Sequence, residues 1–431
     1  MTEMAVAADT RLAIDGGPKT RTEPWPGRAI LGPAEKAAVS ALFDAAIVSG
    51  DAFGYHGPEE EAYCREFAEQ LGGGYADGVS SGTTALYVAL KALELEPFTE
   101  VIVGAVTDPG GMMPVPLLNL APIVADAAPG CYNTGPAEVE PLLSPLTSAI
   151  VVPHIVGEPA DIEGIVALAG ERGIPVIEDC AQSHGAELNG RRLGTFGEIG
   201  VFSTMFGKHY CTGGQGGMLF TKDEMRYHRI RRAADRGKPF GLGQDSTNVT
   251  AALNCNLDEL GAAIGRVQLR RLPEFVQRRR ALVAALTDGL MALPCIGIPD
   301  QLPGANPSYS FLRLRLNTDT LTCDKPAFCA ALAAEGILVL PEYRALPHTF
   351  DWFVKRRVFG SSGLPWSAPQ YKGDPARTFP CPNAHETIAT HFNLILRESW
   401  GEREVRDVLA AFRKVAGAYG TQKRFARESG E

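Results

Sequence analysis

Short apolar runs alternate with helical patterns through much of this chain, and that alternation limits the folds open to it. The runs Glu100–Val106, Ala121–Asp126, Ser148–His154 and Ile174–Asp179 are apolar at nearly every position. Strands of that kind bury both faces, as in a parallel sheet covered by helices. Asp161–Gly173 has helical apolar spacing and lies between two of them. Further helices are expected over Pro33–Val48 and Glu59–Leu71. A Ser/Gly/Thr turn in Gly78–Leu93 leads into a helix from Thr84. The runs "GVFSTM" and "GGMLFT" extend the sheet on either side of Lys208. The fold class is α/β: a large domain with a mostly parallel sheet flanked by helices, plus a smaller C-terminal α+β domain.

The length of 431 residues is too great for one ordinary core. Residues 1–32 read as an N-terminal arm, 33–256 as the large domain and 257–293 as a helical connector broken at Pro273. Residues 294–420 read as the small domain, and 421–431 as a flexible tail. Ser308–Asn317 alternates like a half-exposed strand, and the Pro- and aromatic-rich piece 347–380 reads as a long loop over an interface or a site. A net charge of −9 gives no reason to expect nucleic acid or an anionic membrane as partner. No apolar run approaches the about 20 residues that span a bilayer, and the first ten residues lack the pattern of a secretory signal. The nine cysteines are scattered without a CxxC pair, which argues against disulfides and against a metal site. The expected compartment is the reducing cytoplasm.

The stretch Ile174–Lys208 carries the chemistry. Its apolar run stops at Asp179, and it closes on Lys208, beside the glycine-rich Thr212–Gly217. A lysine amine attacks aldehydes once burial lowers its pKa, giving a Schiff base; the usual aldehyde in an enzyme is pyridoxal 5'-phosphate. That cofactor needs a carboxylate against its ring nitrogen, and Asp179 stands where ligands of open α/β sheets sit. Its phosphate needs donors at a helix start, which Ser81, Gly82, Thr83 and Thr84 offer, with Ser203 as a second hydroxyl. Each piece alone has a plainer reading: a surface lysine, a helix cap, an aspartate capping the next element. Their order and spacing together favour the cofactor.

The chain resembles the sugar aminotransferases of the DegT/StrS type, with the aspartate aminotransferase fold. "SSGTTAL", "VVPHIVGEPADIEGI", "VIEDCAQSHGAELNGRRLGTFGEIGVFS", "GKHYCTGGQGGMLFT" and "NCNLDELGAAIGRVQLRRL" carry the resemblance, which runs from about Pro24 to Lys414. It implies that Lys208 holds the cofactor and moves protons, and that Asp179 pairs with the ring nitrogen. Gln182 would lie near the ring, and Gly82, Thr83 and Ser203 would bind phosphate. Asn254 would reach the phosphate of a neighbouring subunit, making a homodimer with shared sites. His154 and Gly157 would shape the floor below the ring.

Four positions depart from the family pattern. Asp108 stands where an aromatic usually stacks on the ring; it either meets a substrate hydroxyl or ammonium, or only starts a turn before Pro109. Cys255–Asn256 replaces a usual Tyr–Arg, and Gln215 a usual Glu. The resemblance implies transfer of an amino group from an amino acid, glutamate or glutamine, to a keto-sugar or keto-cyclitol. An epimerase or dehydratase on the same scaffold is the alternative, and a non-catalytic regulatory relative a third. Lys208 favours the transaminase over the dehydratases, which carry histidine there. Tyr343 and His348, with His56, Tyr55, Arg236, Lys238 and Arg344, are candidate substrate walls alongside Asp108 and His154.

Overall fold

The computed structural model describes residues 10–243, 246–343 and 345–421. Arg344 and residues 422–431 of the expected tail lie outside the described residues, as do residues 1–9 of the arm. The strands of the main sheet are β1 (Tyr75–Val79), β2 (Glu100–Gly104), β3 (Ala121–Ala125), β4 (Thr147–Pro153), β5 (Val176–Asp179), β6 (Ile199–Ser203) and β7 (Gly217–Thr221). Their spatial order is β1-β7-β6-β5-β4-β2-β3. The pairs β3–β2, β2–β4, β4–β5 and β5–β6 are parallel. Only β7 runs against its neighbours β6 and β1. One consequence decides where the site lies: the C-terminal ends of β1, β2, β4, β5 and β6 all reach the same edge of the sheet.

The strands are as buried as their composition requires, β2 and β3 at every position. Helices cover both faces, so the core divides into two apolar clusters, one on either side of the sheet. A third cluster lies around a four-stranded antiparallel sheet built from Ile296–Gly297, Phe311–Leu316, His391–Ile395 and Val339–Leu340. The helices Lys325–Ala334 and Glu402–Tyr419 pack with it.

Two expectations need correction. The connector is not broken at Pro273: one helix runs from Glu259 to Met291 with the proline inside it. Proline deprives Leu269 of its helical donor, and Gln70 Nε2 donates to the Leu269 carbonyl instead at 2.8 Å. Leu269, Leu272, Phe275 and Val276 are buried around it and hold the helix by packing. The strand Phe311–Leu316 is not half-exposed either. Arg313 is 2% exposed. Its guanidinium pairs with Glu158 at 2.8 Å and donates to the Gly130 carbonyl at 2.7 Å, so the strand's polar face is turned onto the segments that follow β3 and β4. The piece 347–380 packs Phe353, Trp366 and Tyr371 onto the main core, and Tyr371 OH donates to Glu100 at 2.9 Å.

Candidate active site

Ser81 ends the turn after β1 and caps the helix Gly82–Ala92. Its hydroxyl accepts from the Thr84 N–H at 3.1 Å, while Thr84 Oγ1 accepts from the Ser81 N–H at 2.9 Å. The Ser81 hydroxyl is thus committed to the cap. The N–H groups of Gly82 and Thr83 have no partner among the described residues and are left as donors of the first turn. A Cβ on Gly82 would lie 2.6 Å from Ser203 Cβ and 3.1 Å from Ser203 Oγ, so only glycine lets the helix start meet the end of β6. Two backbone donors, the exposed Thr83 and the Ser203 hydroxyl therefore converge at the positive end of a helix dipole.

Asp179 ends β5. Its Oδ1 accepts from the Ala181 N–H at 3.0 Å, and Oδ2 takes no hydrogen bond among the described residues. Burial pushes this carboxyl up, against the Ala181 N–H, Lys208 and His154, which hold it down. A Cβ on Gly111 would lie 3.0 Å from Asp179 Oδ2 and 2.2 Å from Thr107 Oγ1, so the loop after β2 closes tightly over the carboxylate. Within that loop Asp108 Oδ1 accepts from the Gly110 N–H at 2.9 Å. Asp108 does start a turn, and it also acts electrostatically on Asp179, Lys208 and Tyr343.

Lys208 follows β6 by a tight loop in which its N–H donates to the Met205 carbonyl at 2.9 Å. Burial pulls its amine below the ordinary range; Asp179 and then Asp108 oppose that shift. The loop is pinned from below by Arg28, which donates to the His209 carbonyl at 3.1 Å and pairs with Glu398 at 2.7 Å. Arg279 pairs with the same carboxylate at 2.7 Å. Sequence reasoning passed over Arg28, Arg279 and Glu398, since nothing local marks partners so distant in the chain.

Gln182 uses its amide twice: Oε1 accepts from the Val156 N–H at 3.0 Å, and Nε2 donates to Tyr343 OH. The Tyr343 ring stacks on Tyr132 at 5.5 Å. Gly157, at φ +83°, lets this floor meet the neighbouring strand: a Cβ would lie 2.5 Å from the Tyr309 nitrogen.

Some candidates belong elsewhere. His154 is fully buried. One ring nitrogen lies 3.3 Å from Glu178 and the other accepts from the Ala160 N–H at 3.0 Å, so no face is left for a substrate. His348 is also buried, packed against the rings of Phe353 and His385, and burial lowers its pKa to about 4. It stands as a neutral packing residue, not a wall of the site. His56, Tyr55, Arg236 and Lys238 gather instead around Asp235. Asn254 is exposed, bridges to Asp235 and accepts from Asn256 Nδ2 at 2.7 Å.

The model of the DegT/DnrJ/EryC1/StrS aminotransferase family matches residues 41–413. The chain is 31% identical over 429 residues to an L-glutamine:2-deoxy-scyllo-inosose aminotransferase of Micromonospora echinospora, covering 94% of this chain and 98% of that protein. It is 33% identical over 292 residues to a dTDP-3-amino-3,4,6-trideoxy-alpha-D-glucose transaminase of Streptomyces venezuelae, covering 68% of this chain and 74% of that one. Among solved structures, an aminotransferase from Psychrobacter cryohalolentis superposes with a TM-score of 0.79 at 26% identity, covering 92% of this chain and 99% of that one.

Proposed function

The chain belongs to the DegT/DnrJ/EryC1/StrS aminotransferase family and is an aminotransferase; on that premise we propose that it uses pyridoxal 5'-phosphate to move an amino group from glutamine or glutamate to a keto-cyclitol or keto-sugar. One observation carries the cofactor assignment. N–H groups without a partner among the described residues, a half-buried carboxylate with an uncommitted oxygen and a lysine of lowered pKa come from separate strand ends to one edge of the sheet. These residues fit the cofactor in charge and in donor type. When bound, pyridoxal phosphate supplies an aldehyde that exchanges amines and a cationic ring that draws electrons from the carbon being deprotonated.

The chain's own residues divide the remaining work. Gly82 N, Thr83 N and the hydroxyls of Thr83 and Ser203 would hold the phosphate. Asp179 Oδ2 would keep a positive charge on the ring nitrogen, a charge pair that in turn relieves the cost of burying this carboxylate. Gln182, fixed by Val156 and Tyr343, would orient the ring. Lys208 Nζ would take the proton from the substrate carbon and return it on the other side of the transfer, for which a lowered pKa suits it. The free oxygen of Asp108 and the hydroxyl of Tyr343 would face the substrate.

The whole-length similarity to a glutamine:inosose enzyme supports a cyclitol as acceptor, whereas the nucleotide-sugar relative is matched over a shorter part of the chain. Asn254 would serve the phosphate of a second subunit. Exposed Phe43, Ile47, Val48, Phe206 and Leu253 give such a homodimer apolar surface to bury. Nine unpaired cysteines suit a reducing cytoplasm. The test is an amine-transfer screen: purified protein with pyridoxal phosphate and glutamine, offered keto-cyclitols, free keto-sugars and nucleotide-linked ketosugars. Turnover of a keto-cyclitol is expected; consumption of none of the three would refute the reading.

A further inference from the structure

Away from the Lys208 edge, a cavity of about 460 Å³ opens between the helix Pro58–Gln70 and β1. Glu60, Cys64 and Asp77 line it, together with His56 and Arg231. Glu60 and Cys64 are one helical turn apart and share a face; Asp77 points at them from the strand. We propose that Glu60, Cys64 and Asp77 bind a zinc-type divalent cation.

Geometry comes first. One donor atom from each of the three residues lies within 4.8 Å of the other two. Metal–sulfur distances near 2.3 Å and metal–oxygen distances of about 2.0–2.2 Å put donors on one ion roughly 3.5 Å apart, so small rotamer shifts close the site. The fourth position would fall to a water from the cavity, since His56 Nδ1 already meets Arg231 Nη2 at 2.8 Å and its Nε2 lies 3.4 Å from Asp235. The second observation is an uncompensated donor. Asp77 is 2% exposed, and its Oδ2 has no hydrogen-bond partner among the described residues, while Oδ1 meets Arg231 at 3.1 Å. Burying a carboxylate oxygen without a partner is costly, and a cation removes that cost. Thiolate with two carboxylates is a donor set for a borderline metal, not for calcium or magnesium.

A second group of similar composition, His154 with Glu178 and Cys180, differs in both respects. Glu178 already accepts from the N–H groups of Gly194, Phe196 and Gly197, and all three residues are fully buried. The Glu60 group instead has an open donor and a cavity for entry. The ion would tie the helix to β1, the strand that runs directly into Ser81 and Gly82. Its role is structural support of the cradle, and the proposal does not rest on which amine acceptor the enzyme uses.

The experiment loads metal-free protein with cobalt(II). One cobalt per chain is expected, with a thiolate-to-cobalt charge-transfer band that disappears in Cys64→Ser. Should Cys64→Ser not fold, Glu60→Gln and Asp77→Asn carry the test, each expected to weaken cobalt binding at least about tenfold with the circular dichroism spectrum unchanged. Failure of the parent to bind one cobalt per chain overturns the proposal. So does a band that survives in Cys64→Ser, or affinity that is unchanged in both carboxylate variants.

Discussion

Gly82 and Ser203 approach so closely that a methyl group on the glycine would lie 2.6 Å from the serine Cβ. The helix start and the end of β6 can meet only because position 82 has no side chain. Gly82→Ala must push the two apart, which spreads the phosphate donors. A displacement of that order costs about 100-fold in a preorganised site. Titration of the variant with pyridoxal phosphate, followed by absorbance, checks this; retention equal to the parent's would show that the phosphate sits elsewhere.

Asp179→Asn keeps shape and the hydrogen bond from Ala181 but cannot hold a charge on the ring nitrogen. Removing one electrostatic partner of this kind slows the chemical step by roughly 100-fold to 1,000-fold. Single-turnover rates with glutamine measure it, with the circular dichroism spectrum unchanged. A near-parental rate would remove Asp179 from its role.

Arg313 and Glu158 form a buried pair at 2.8 Å, with exposures of 1% and 5% for their side chains. Arg313→Met leaves Glu158 charged and alone, and breaking such a pair costs about 3–5 kcal/mol. Urea denaturation should show that loss. The double variant Arg313→Met with Glu158→Gln should recover much of it, since no uncompensated charge then remains.

Strand ends and helix starts were legible in the sequence, and with them the places of the candidate residues. Asp179 and Lys208 sit at the limits of apolar runs, and the Ser/Gly/Thr turn before Thr84 marks a helix start that any reader of capping patterns can find. The reading from sequence failed where a residue's role is set by a partner far along the chain. Arg313 alternates with apolar neighbours and looks exposed, yet Glu158 buries it. Pro273 looks like a break, yet Gln70 supplies the missing donor. His154 and His348 look like site residues by type, and both are spent on the interior. The Glu60, Cys64 and Asp77 group had no signature either, because its third donor comes from a separate strand.

The Lys208 amine also makes the apoprotein's stability depend on pH. Its folded pKa lies below the ordinary 10.5. Below the folded value both states are protonated, and the full cost of burying the charge is present. Between the folded value and 10.5 the unfolded chain holds more proton, so stability rises with pH across that window. Lys208→Met removes the cost. The variant's apoprotein should melt higher than the parent's near pH 7, with a gap that narrows towards pH 10.5; a gap that is constant or widens would contradict the burial of this amine.

The most direct test of the central assignment is chemical. Protein carrying pyridoxal phosphate is reduced with borohydride, digested and mapped by mass spectrometry. The account requires the pyridoxyl label on Lys208, in stoichiometric amount. Label on a different lysine, or none with the cofactor in excess, would contradict it.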